Sequence, residues 1–266
     1  MRNREALRVA DTVLPILMYH GLHASVRAHG IYDPVYSVAP DQFERQLDWL
    51  ATHGYRTTLL HDAEAASETA PSVVITFDDG DVSNAELALP ALAERGMVAE
   101  FFVTADFVGQ DGRMTPEHLR ALVAAGMGVQ SHGYSHRYLA DLDEADLEFE
   151  LAESKRRLEA IVGTPVLALA LPGGRGGERE RVAALRLGYR DLLNSEPGPN
   201  CKRVRGDYLQ RLAVTHDLPL SDFARLVQWR GLLPRARQAR YRALAVAKHL
   251  LGNQPYERFR KRLLER

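Results

Sequence analysis

The feature that most constrains this chain is a repeated switch between two apolar periods. Short strand-like runs at 15–19, 55–60, 73–77, 99–103, 127–131, 166–171, 189–194 and 211–215 alternate with segments of helical spacing. The segment 40–53 places Phe43, Leu47 and Leu50 on one face, and 84–95, 115–125, 143–162 and 178–187 fill later gaps. Some of these carry their own end signals: Thr115 before Pro116, then Gly163 and Gly188 after helical runs. Those residues suit a cap, a first-turn proline and two C-terminal stops. Apolar strands joined by helices pair in parallel. Eight such runs suit a closed, distorted α/β barrel, which carries its chemistry at the C-terminal ends of its strands.

A length of 266 residues suits one such barrel. The lone cysteine, Cys201, excludes an intrachain disulfide and a cysteine metal cluster, and it reads as a loop bystander. The apolar stretch 13–18 is far short of the ~20 residues of a membrane span and lacks a small-residue cleavage site. The chain as given therefore reads as cytoplasmic. Its net charge is −1, but from Trp229 to Arg266 eleven Lys/Arg face two Glu, a net of +9, which leaves −10 for the remainder. This divides the chain into a barrel domain, 1–228, and a basic helical extension, 229–266. A helix over 237–251, stopped by Gly252 and Pro255, and a second short basic helix from Tyr256 are expected there. They read first as a solvated tail packed on the barrel. The alternative is a basic face for peripheral contact with anionic lipid at the membrane surface. No nucleic-acid motif is present, and no nucleic-acid partner is expected.

Two short segments carry chemistry. The run Val73 to Phe77 leads into Asp78-Asp79-Gly80, where glycine permits a sharp turn. Adjacent residues on an extended chain point in opposite directions, so one carboxylate can bind a metal while the other serves as a base. About fifty residues on, Ser131-His132-Gly133-Tyr134-Ser135-His136 supplies two imidazoles. Two His and one Asp make a facial site for a divalent ion with open positions for water and substrate. Zinc is the leading candidate, and cobalt, nickel and iron are compatible by ligand type. His20, Asp78, Asp79, His132, His216 and Pro172-Gly173-Gly174 all stand just after strand candidates, which argues for one site.

T-F-D-D-G at 76–80 and S-H-G-Y-S-H at 131–136 resemble the first two motifs of the polysaccharide deacetylase family, carbohydrate esterase family 4. L-P-I-L-M-Y-H-G at 14–21 and the segment 36–50 resemble its poly-N-acetylglucosamine deacetylase branch. The resemblance implies a (β/α) barrel of seven or eight strands. It implies Asp79, His132 and His136 as ligands, Asp78 as base, and removal of N-acetyl groups from an N-acetylated sugar or exopolysaccharide. For the acid it offers His216, placed as in most of the family, and His20, placed as in the permuted branch; the opening segments favour His20. Many members have an Arg-Pro-Pro-Tyr-like motif whose arginine pairs with the base. Here the chain reads A-L-P-G-G-R-G-G at 170–177, with Arg175 after the proline. Pro172, Gly173, Gly174 and Arg175 are expected to line the substrate site, with Arg175 also a candidate partner for Asp78. The rival readings are a deacylase of a small non-sugar amide and a non-catalytic glycan-binding relative.

Overall fold

The computed structural model describes residues 13–63, 70–200 and 206–251. Cys201 and the expected basic helix from Tyr256 lie outside the described residues. The strands are β1 (Ile16–Tyr19), β2 (Arg56–Thr57), β3 (Ser72–Asp78), β4 (Glu100–Val103), β5 (Gly128–Ser131), β6 (Ala168–Ala170), β7 (Asp191–Leu193), β8 (Tyr208–Leu209) and β9 (Leu212–Ala213). They form one sheet in the order β8-β7-β6-β5-β4-β3-β1-β9, with β2 added on β3. Every pairing in it is parallel.

The expected closed barrel is corrected in one respect: the two ends of this sheet, β8 and β9, do not pair. They are nevertheless consecutive in the chain, joined only by Gln210 and Arg211. Three residue steps reach at most about 10 Å, so the sheet must curl until its ends nearly meet. Residues 208–213 are one extended run, its first half on β7 and its second half on β1. The sequence pattern marked only the second half. It also overextended the strand at 55–60, which keeps two residues before Leu60–Asp62 turns into a 3₁₀ segment.

The helices are α1 (Pro40–Thr52), α2 (Leu89–Glu94), α3 (Pro116–Ala124), α4 (Glu144–Val162), α5 (Glu178–Arg186), α6 (Leu220–Val227) and α7 (Leu232–Leu251). Thr115 and His118 form a reciprocal cap at the start of α3, and Gly163 ends α4 with φ 70. The expected helix 84–95 opens instead as a π turn, Asn84–Ala88, ahead of α2. Pro90 has no N–H for the regular ladder there, and the wider turn absorbs the defect. Helix α7 starts at Leu232 rather than 237, since Pro234 is tolerated in a first turn. Part of its basic face is tied to the barrel: Arg242 pairs with Glu196 at 2.7 Å and Arg237 donates to the Ala213 carbonyl at 3.3 Å. Arg235 and Arg240 stay exposed. No helix among the described residues is long and apolar enough to cross a membrane.

Strand alternation sorts the core into two layers. Leu17, Tyr19, Val73, Ile75, Phe77, Phe101, Val129 and Leu169 face the helices, where they meet Phe43, Leu47, Leu122, Leu151 and Phe223. Ile16, Val74, Phe102, Ala168, Ala170, Leu193 and Leu209 fill the lumen. The same parity carries His20 from β1, Asp78 from β3, His132 from β5 and Arg211 from the β8–β9 link to the lumen side.

Candidate metal and catalytic site

The site forms at the C-terminal mouth of the lumen. Asp78 closes β3 and is buried. Asp79 does not continue the extended alternation assumed from sequence. It sits at φ 71, followed by Gly80 at φ 79. This left-handed turn swings the Asp79 carboxylate toward the imidazoles that follow β5. Its Oδ1 lies 3.4 Å from His132 Nε2 and 3.1 Å from His136 Nε2. The ligand atoms of Asp79, His132 and His136 all lie within 4.8 Å of one another.

These residues fit a divalent ion. Asp79 Oδ1 is buried and has no hydrogen-bond partner, although two ring nitrogens face it. His132 Nδ1 donates to the Ala170 carbonyl at 2.9 Å, because a carbonyl can only accept. That leaves the Nε2 lone pair aimed at Asp79 in the neutral ring, the usual outer support of a metal-ligating histidine. Burial lowers His132 to about 4, so the ring is neutral at ordinary pH. Burial also pushes His136 down, but the Asp79 carboxylate outweighs it and the net shift is upward. For Asp79 itself, burial raises the carboxyl, yet His136, His132 and His20 together hold it far below the carboxylate range. His136 adopts φ 65. Left-handed backbone costs a non-glycine residue of order 1–3 kcal/mol, and here two candidate ligands of one site, Asp79 and His136, both carry it.

Asp78 is the second carboxylate, and its partner was not anticipated. Arg211, fully buried in the seam, makes a fork with it: Nη1 to Oδ1 at 2.7 Å and Nη2 to Oδ2 at 2.8 Å. Arg211 Nε is fixed on the Asn194 carbonyl at 2.9 Å. Burial would raise the Asp78 carboxyl, but Arg211 first, then His132 and His20, hold it below its ordinary value. Its Oδ2 lies 4.0 Å from His132 Nε2, beside the ligand set.

The expected candidates separate clearly. His20 acts on both carboxylates, lowering each. Its ring stacks on Tyr36 with centroids 4.5 Å apart, and its carbonyl accepts from Asn84 Nδ2 at 2.7 Å. His216 instead donates from Nδ1 to the Ser37 carbonyl at 2.9 Å and lies 3.6 Å from Asp217. It lines a separate cavity of about 240 Å³ with Gln42, Arg45, Gln46 and Leu218. Pro172–Gly174 forms one 3₁₀ turn after β6. Gly173, at φ 61, lies against the Tyr138 ring where a side chain would collide. The Arg175 guanidinium stacks on the same ring at 3.8 Å, so Asp78 is held by Arg211 and not by Arg175. The Phe107 ring lies 6.1 Å from that of His136, and the Arg113 guanidinium lies 4.6 Å from the Phe107 centroid. Sequence reasoning missed Arg211, Tyr36 and Phe107. Arg211 left a signal as a charged residue heading the apolar run L-A-V, and Tyr36 as the first residue of the segment 36–50.

Fold and site together define a class: (β/α)-barrel proteins that gather carboxylates and imidazoles at the strand ends. A family model described as polysaccharide deacetylase matches residues 65–192. The Bacillus subtilis protein YxkH, provisionally described as a polysaccharide deacetylase, is 29% identical over 221 residues, covering 81% of this chain and 76% of that protein. A chitooligosaccharide deacetylase of Sinorhizobium fredii is 33% identical over 116 residues, 43% of this chain and 47% of that one. Among solved structures, the polysaccharide deacetylase BC0361 from Bacillus cereus superposes with a TM-score of 0.73 at 25% identity, covering 81% of this chain and 69% of that one. IcaB from Ammonifex degensii gives 0.69 at 26% identity, with 82% and 97% covered. Residues 65–192 thus carry a polysaccharide deacetylase domain. β1 with His20, and the β8–β9 run with Arg211, lie outside the span that the family model matches.

Proposed function

We propose that the protein is a metal-dependent deacetylase that hydrolyses N-acetyl groups on an N-acetylated saccharide. The observation that carries the reading is the Asp79–His132–His136 triangle beside a second carboxylate, Asp78, held ionised by Arg211. A divalent ion in that triangle would polarise the acetyl carbonyl and acidify an attacking water. The chain's own residues do the rest. Asp78, with its charge fixed by the guanidinium fork, accepts the proton of the attacking water. His20, stacked on Tyr36, delivers a proton to the departing amine. Tyr138 with Pro172 to Arg175 forms one wall for the sugar, and Phe107 with Arg113 forms another.

The direct test is acetate release from N-acetylglucosamine oligomers, measured before chelation, after it, and after zinc is restored. Activity should disappear and return with the metal. A zinc-loaded protein that frees no acetate from any oligomer would sink the reading. Release only from small non-sugar amides would move the substrate to that class.

His20→Ala should slow amide cleavage by about 10²–10⁴. It should matter much less for an activated aryl acetate, whose leaving group needs no proton. His216→Ala should leave both reactions near the parental rate. The opposite pattern, with His216 essential to the amide reaction and His20 dispensable, would transfer the acid role.

A further inference from the structure

Helix α4 buries Leu147, Glu150, Leu151, Ser154 and Leu158 against the barrel. One member of this stripe is a carboxylate, and Glu150 is 2% exposed. A buried carboxylate must be matched by a cation or by several donors. Here the donors come from the segment that leads into His136. Glu150 Oε2 accepts the Tyr134 N–H at 2.8 Å and the Ser135 N–H at 2.9 Å. The Ser135 hydroxyl donates to Oε1. One helical turn further on, Ser154 Oγ meets Ser131 Oγ at 2.6 Å, and Ser131 Oγ accepts the Gly133 N–H at 3.2 Å. From the other side, Ala105 N–H donates to the Gly133 carbonyl at 3.1 Å and Asp106 N–H to the Tyr134 carbonyl at 2.8 Å. The peptide groups of 133–135 are thus fastened on both flanks.

The next residue is His136, in left-handed backbone and 3.1 Å from Asp79. Such backbone persists only where its surroundings over-determine it. A ligand that must be placed to within about 0.5 Å needs that support. We propose that Glu150 is the positioning residue that fixes His136 for metal binding, acting as an acceptor clamp on the two peptide groups before it. This rests on the reading of His136 as a ligand.

The test is zinc affinity, measured by competition with a chromophoric chelator at a temperature where circular dichroism shows each variant folded. His136→Ala is the control and should lose stoichiometric zinc. If it keeps zinc, the ligand assignment fails and the clamp with it. Glu150→Ala strands two buried N–H groups and should weaken zinc binding by about 10–100-fold. Glu150→Gln keeps an oxygen for both N–H groups, and its amide can donate to the Ser135 hydroxyl. Its affinity should stay close to the parental value. Ser135→Ala removes the third bond without orphaning a peptide group, should fall between the two, and serves alone if Glu150→Ala does not fold. If His136→Ala loses zinc while folded Glu150→Ala, or in its place Ser135→Ala, binds it as tightly as the parent, the proposal is overturned. A glutamine variant as weak as the alanine variant would also overturn it, since hydrogen-bond geometry would not then be the cause.

Discussion

Asp78→Asn is expected to keep zinc and lose about 10²–10⁴ in turnover, whereas Asp79→Asn is expected to lose the zinc itself. In the first variant the new carboxamide can still offer an oxygen to Arg211, whose other contacts to the Asn194 carbonyl and Thr76 hydroxyl are untouched. The lumen should therefore keep its shape while the proton acceptor disappears. In the second variant an amide replaces the one buried oxygen that two imidazole nitrogens face. Metal analysis of both purified variants, run beside acetate release, decides the matter. Zinc lost from Asp78→Asn and retained by Asp79→Asn would exchange the two roles.

Arg211→Met should be the most destabilising single change at the site. It removes one partner of a buried fork and leaves Asp78 as a charge without its counter-ion, a loss of about 3–5 kcal/mol. The pH dependence follows from the shift in Asp78. In the parent the folded carboxyl lies below its ordinary value because Arg211, His132 and His20 outweigh burial. A depressed folded value stabilises the protein above the unfolded pKa, and that contribution is lost as the pH falls through the lower folded value. Without the guanidinium, burial carries the folded value upward. The variant then suffers most at neutral pH and recovers as acid protonates Asp78. Urea unfolding of the metal-free proteins at pH 7 and in mild acid should show a wide gap that narrows. Equal stability at pH 7 would mean that the fork contributes nothing net.

The site was legible where its parts are local in sequence. T-F-D-D-G and S-H-G-Y-S-H each pack candidate ligands, turn glycine and strand end into a few residues, so the convergence of Asp79, His132 and His136 was expected from sequence. His20 was likewise placed at the end of a strand candidate, 15–19, and β1 ends at Tyr19. What stayed hidden acts across long separations: Arg211 meets Asp78 133 residues away, and Glu150 acts through peptide groups, which leave no trace in residue identities. Arg175 misled because it stands close to the missing motif position, while the charge that pairs with Asp78 stands on the link between β8 and β9. The barrel's seam was hidden for a different reason. Two-residue strands such as β8 have too few positions to display a period, and whether two sheet edges pair is decided by curvature that no local pattern records.

The covalent bridge across that seam has a consequence for how the protein comes into being. Strand β1 emerges first during synthesis, but one of its two neighbours, β9, emerges after all the other strands. Arg211 arrives on the same segment. Until that late segment docks, Asp78 faces the lumen without its guanidinium partner. A nascent or truncated chain can therefore bring Asp79, His132 and His136 together while Asp78 still lacks its fork. The Asp78–Arg211 fork therefore closes only with the last strand, and its presence marks the completed sheet.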